Sequence, residues 1–175
     1  MAKITAAEVN KLRKMTGAGM MDCKKALQEA DGDFEAAVDV LRKKGQKVAA
    51  KRADREASEG VVLAGTNSDN SRGSIVSVNC ETDFVAKNDS FIELTNNILK
   101  VAISEAPADK DALLACKYDD SMSIQDKLTE QTGVIGEKIE VGAFEYLEGA
   151  KVDFYIHAGN KLATLVGLNK DGGDA

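Results

Sequence analysis

A chain of 175 residues has room for one medium domain, or one domain and a small module. At that size it buries about two-thirds of its unfolded surface and needs no disulfide or metal staple. Its 23 Lys and Arg against 29 Asp and Glu leave a net charge of -6, which argues against the basic face of a nucleic-acid binder. Cys23, Cys80 and Cys116 are odd in number, far apart and without CxxC spacing, which fits reduced thiols rather than a disulfide framework or zinc site. The opening MAKITAAEV has no signal-peptide core, and no apolar run reaches membrane-spanning length. The expectation is a soluble, cytoplasmic protein with no membrane partner.

The first 45 residues predict three short helices. Thr5 followed by Glu8 makes a capping box, flanked by Ile4 and Val9 as a hydrophobic staple. Gly17 to Gly19 read as the tight turn into the second helix, since no strand precedes them as a dinucleotide site would need. Met20 and Met21 open that helix, and adjacent helical residues do not share a face, so one of the two is expected to be exposed. Cys23, Ala26, Leu27 and Ala30 then recur at helical spacing, as do Phe34, Ala37, Val38 and Leu41. Asp33 opens the third helix, Lys43 and Lys44 suit its end, and Gly45 is read as its stop. Gln46 to Ser58 reads as an exposed, partly helical linker whose Lys47, Lys51, Arg52 and Arg55 form a solvated face. The sequence thus divides into residues 1–54, a helical module with linker, and residues 55–175, a core domain.

From Gly60 the pattern turns to strands. Val61 to Ala64 and Ser74 to Cys80 bracket a polar turn, which signals a hairpin. After them comes a helix, begun by Ser90 with Glu93 and carrying Phe91, Leu94, Ile98 and Ala102 on one face. Pro107 breaks the chain, and shorter helices are expected over Asp111 to Cys116 and Ser123 to Thr132. Ile139, Val141 and Ala143 alternate in a further strand. Val152, Phe154 and Ile156 alternate in the next, which turns Asp153, Tyr155 and His157 outward. Gly159 and Asn160 turn the chain into Leu162 to Leu168, and the tail KDGGDA is expected to be disordered. This order predicts an α+β fold: an antiparallel sheet of about three strands, packed with helices on one side.

Enzyme signatures are missing. The chain has one histidine, no GxSxG, no Gly-rich phosphate loop and no His/Cys metal set, so no enzymatic activity, cofactor or metal is expected.

The residues that point to function are Thr82 to Asn88, TDFVAKN. An acid and an aromatic, Asp83 and Phe84, follow an apolar strand at a turn. Taken alone, Phe84 either folds back into the core with Asp83 capping the next helix, or stands out as a wedge that leaves water when a partner arrives. TDFVAKN is similar to a signature of the elongation factor Ts family, the guanine-nucleotide exchange factors of bacterial translation. TGAGMMDCKKAL at Thr16 to Leu27 resembles the same family's N-terminal signature, and the likeness runs over nearly the whole chain. The resemblance implies that the helical module is a ubiquitin-associated-like bundle. It also implies contacts with elongation factor Tu through Arg13, Met20, Met21 and Lys24, through Thr82, Asp83, Phe84 and Val85, through the Ile135–Gly136 pair, and through His157. Asp83 and Phe84 would then act on the partner's Mg site. Family members continue into a second core half and a helical hairpin not seen here, which implies a truncated or short form, and a homodimer if a sheet edge is left unpaired. A non-catalytic adaptor built on the helical module, or a docking-only fragment, is the alternative.

Overall fold

The computed structural model describes residues 4–170. Within it the chain forms two compact units: residues up to Arg55 together with Thr129–Glu137, and Glu56–Leu128 together with residues from Lys138 onward. The return of Thr129–Glu137 to the first unit is an addition to the two blocks expected from the sequence. The tail residues 171–175 lie outside the described residues.

The first unit holds α1 (Ala6–Thr16), α2 (Met20–Glu29) and α3 (Phe34–Arg52). The capping box forms as the sequence suggests: Glu8 N donates to Thr5 Oγ1 at 3.3 Å and Thr5 N donates to Glu8 Oε2 at 2.7 Å. Gly17, at φ 70°, ends α1 and donates its N–H to the Arg13 carbonyl at 2.8 Å. Leu12, Cys23, Leu27 and Ala37 are fully buried, while Ile4, Phe34, Val38 and Leu41 lean on them from the edges.

Gly45 does not stop the third helix. It is buried inside α3, which continues to Arg52. The reason is a crossing: the last part of α7 (Ile124–Ile135) meets α3 there, and a Cβ built on Gly133 would lie 2.4 Å from the Cα of Gly45. Each glycine costs about 1 kcal/mol of helix propensity relative to alanine. Close backbone contact between the two helices offsets that loss.

In the second unit β1 (Glu59–Thr66), β2 (Arg72–Cys80) and β3 (Glu140–Glu148) form an antiparallel sheet in the order β1-β2-β3. The long helix α5 (Asp89–Glu105) covers one face, burying Phe91, Leu94, Ile98 and Ala102 over Val61, Val76 and Val78. Its start differs from the expected Ser90–Glu93 pair. Asn88 is the cap, its side-chain oxygen accepting from Ser90 N at 3.0 Å. The helix ends before Pro107 with Ala106 in a left-handed conformation. The short α4 (Asp83–Ala86) precedes it and α6 (Lys110–Ala115) follows.

Two strand readings need correction. In β3 the pairing steps from Ser77↔Ala143 to Val78↔Val141, so Gly142 is an extra residue in a bulge. The bulge resets the alternation: Val141 and Phe144 are buried and Ala143 is exposed. The last strands, β4 (Lys151–Ile156) and β5 (Ala163–Leu168), form a separate two-stranded sheet. That hairpin packs on the second face of the main sheet where Gly73 leaves room; a Cβ there would lie 2.7 Å from Val152 and 3.0 Å from Leu165. Val152 is therefore buried while Phe154, two residues further out, is 42% exposed.

Candidate functional site

Strand β2 ends at buried Cys80, and Thr82, extended at φ -127°, leads into the single turn α4. Ala86 is buried and Val85 half-buried, and the turn packs on β1 and β2. With those two residues facing the sheet, the helical rotation sends Phe84 the other way, and it is 83% exposed. Phe84 is thus outside the core, and the cap of the next helix is Asn88 rather than Asp83.

Asp83 is half-buried and bound within its own turn. Lys87 Nζ donates to Asp83 Oδ2 at 2.6 Å. That hydrogen bond and the lysine's charge, with a smaller contribution from Lys161, hold the Asp83 carboxyl below the usual carboxylate range. The same pair, helped by Glu59, raises the Lys87 ammonium above its ordinary value. Lys161 itself pairs with Glu59 at the start of β1. Two acids and two lysines therefore alternate around α4, and Asp83 is kept anionic.

Lys161 lies in the turn between β4 and β5, the turn that His157 opens. His157 N donates to the Leu162 carbonyl at 2.8 Å, and Asn160 N donates to the His157 carbonyl at 3.0 Å. Val62 N donates to the Asn160 carbonyl at 2.8 Å, which ties this turn to the edge of β1. His157 is exposed, and its Nδ1 lies 3.0 Å from the Tyr155 hydroxyl. The second unit thus brings Asp83 near the charge of Lys161, which lies in the same turn as His157, although 69 positions of numbering separate Asn88 from His157.

The remaining candidates lie on the first unit. Met20 and Met21 are both exposed, 52% and 61%, where the sequence led to the expectation that one of them would be. The buried residues of α2 are Cys23, Ala26 and Leu27, one face of the helix that neither methionine joins. Arg13 and Lys24 are exposed as well. Ile135 and Gly136 end α7, where Gly136 takes φ 83° and donates its N–H to the Thr132 carbonyl at 2.9 Å. The preceding residue, Val134, packs against the helical core and lies 3.8 Å from where a Cβ on Gly17 would be. The fold therefore carries the Ile135–Gly136 end to the turn between α1 and α2.

Among the described residues there is no group of three or more His, Cys, Asp or Glu placed to hold a metal ion, and no helix is long and apolar enough to cross a membrane. The family model described as Elongation factor TS matches residues 81–174, more than half of the chain. The chain belongs to the elongation factor Ts family. It is 65% identical to the elongation factor Ts of Christiangramia forsetii over 97% of its own length and 61% of the relative's. With that of Flavobacterium psychrophilum the identity is 55%, over 97% of the chain and 61% of the relative. With that of Rhodopirellula baltica it is 54%, over 98% and 52%. The chain thus spans between half and two-thirds of these elongation factor Ts relatives.

Four residues of the site were not singled out from the sequence: Lys87, Met15, and the pair Lys161 and Glu59. Lys87 had a readable signal, the i, i+4 spacing from Asp83 within TDFVAKN. Met15, 60% exposed in the last turn of α1, could have been found as an apolar residue beside the signature of Thr16 to Leu27. Lys161 had none, because its approach to Asp83 depends on how the β4–β5 hairpin packs.

Proposed function

We propose that this chain acts as a guanine-nucleotide exchange factor that docks on elongation factor Tu and speeds release of GDP. The observation that carries the reading is Phe84, a large aromatic side chain held 83% exposed on a one-turn helix beside an anchored, anionic Asp83. Leaving such a ring in water is unfavourable unless a partner removes it, and membership of the elongation factor Ts family supports elongation factor Tu as that partner. A G protein holds its nucleotide through backbone amides, a lysine and a Mg²⁺ bridging phosphate oxygens. Inserting Phe84 between elements of the G domain, with Asp83 brought near the metal region, distorts those ligands. Weakening the Mg²⁺ contact removes a large local charge from the phosphates. Met20 and Met21, flanked by Arg13 and Lys24, supply an adaptable second contact, joined by Ile135 and Gly136; His157 extends the Phe84 contact. No bond is made or broken, and the effect is reciprocal: a partner that weakens GDP binding is itself weakened by GDP.

The test is release of fluorescent GDP from elongation factor Tu, with and without the chain and its Phe84→Ala and Asp83→Ala variants. Faster release that falls in either variant is the expected result. Release no faster than the spontaneous rate would sink the reading and leave a docking fragment or an adaptor.

A further inference from the structure

We infer that Lys87 is a positioning residue for Phe84: it closes the Asp83–Ala86 turn on its solvent side, so that the ring is presented in one orientation before a partner arrives. The inference rests on the exchange-factor reading above. A single helical turn is a poor structure by itself, because ordering it fixes several backbone dihedrals for one hydrogen bond. In α4 the inner side is anchored by Ala86 and Val85 against the sheet. The outer side carries Phe84, which is too exposed to hold the turn by packing. What spans that outer side is the ion pair from Asp83, the first residue of the turn, to Lys87, its C-cap, at 2.6 Å. A backbone bond from Lys87 N to the Asp83 carbonyl at 3.0 Å closes the same i, i+4 step. Lys161 also acts on Asp83, but it is tied to Glu59 at the start of β1 and does not bridge the turn. Lys87 is the cation that links the two ends of α4.

A ring presented for only a fraction of the time binds with an affinity reduced by that fraction. Lys87 therefore acts on how much factor is needed, not on how fast the docked complex releases its nucleotide. The experiment measures fluorescent-GDP release from elongation factor Tu across a range of factor concentrations for the full chain, Lys87→Met, Lys87→Arg and Phe84→Ala. Lys87→Met should raise the half-saturating concentration about two- to threefold at low salt, with the maximal release rate unchanged. Lys87→Arg should restore it, and the difference should shrink at high salt, where the exposed pair is screened. A carbon NMR titration of Asp83 reads the contact directly: its depressed pKa should rise in Lys87→Met and stay partly depressed because Lys161 remains. Equal half-saturation for the parent chain and Lys87→Met, with release still slowed by Phe84→Ala, overturns the role of Lys87 and leaves the exchange reading standing. Parent-level release by Phe84→Ala overturns the role of Lys87, since the ring it positions is then idle, and no faster release with the parent chain takes both down.

Discussion

The two units solve opposite packing problems. The helical unit has few large apolar residues, and its core of Ala18, Cys23, Ala26 and Ala37 around Leu12 and Leu27 draws the backbones close together. Its extreme is the Gly45–Gly133 crossing, where no side chain intervenes. The sheet unit instead fills its core with Phe91, Ile98, Val76, Val78 and Phe144, so distances between its elements are set by side chains. The difference shows in what each unit exposes. The helical unit offers three methionines on flexible stems, Met15, Met20 and Met21, while the sheet unit exposes aromatic rings, of which Phe84, on a turn anchored from beneath, is the most exposed. A small-residue core leaves adaptable side chains at the surface, and a large-residue core provides a platform stiff enough to hold Phe84 out.

The strongest way to break the comparison is Phe91→Ala. Removing a ring that is 1% exposed should cost about 3–5 kcal/mol, read as faster amide exchange throughout α5 and the sheet. Gly133→Ala attacks the other unit by adding rather than removing atoms. The new methyl meets the Gly45 backbone, so a loss of about 1–3 kcal/mol is expected, confined to the amides of α1, α2, α3 and Thr129–Glu137. If α5 loses protection equally, the two units do not open separately.

Thr5→Ala should cost about 1 kcal/mol through the lost cap, seen as fraying of α1. The capping box also gives that helix an acid sensitivity. Hydrogen bonds from the Thr5 backbone and hydroxyl hold the Glu8 carboxyl below the usual range. A depressed folded-state value stabilises above the ordinary Glu pKa of about 4.3 and is lost as pH falls through the folded value. Chemical shifts of α1 should therefore report fraying below about pH 4 in the parent chain, a response that Glu8→Gln abolishes. The smallest stability effect should come from Phe84→Ala. An 83% exposed ring contributes little to folding, so stability should change by less than about 0.5 kcal/mol while GDP release falls. A large loss of stability there would mean that Phe84 serves the fold rather than a partner.

Much of this was legible in the sequence, for local reasons. The capping box, the periodicity of α2, the β1–β2 hairpin and the Phe91–Ala102 face of α5 are each set by residues within a few positions of one another. The failures share the opposite property. Gly45 reads as a helix stop only because its reason, Gly133, lies far along the chain. Ala143 and Phe154 were assigned by strict alternation, which a bulge and the limited reach of a hairpin both defeat. At the candidate site the sequence placed Asp83 and Phe84 at a turn after a strand. It could not show the grip of Lys161 and Glu59 on that turn, since long-range charge contacts leave no local pattern.

The glycine crossing also bears on the order in which the chain is made. During synthesis the segment up to Arg55 emerges first, yet its compact unit is completed by Thr129–Glu137. At about 5–20 residues per second, that last piece arrives roughly 4–16 s later. For that interval Gly45 lacks the Thr129–Gly133 backbone that packs against it in the finished fold. The helical unit thus starts to emerge before the sheet unit, yet is completed only after Glu56–Leu128 has been made.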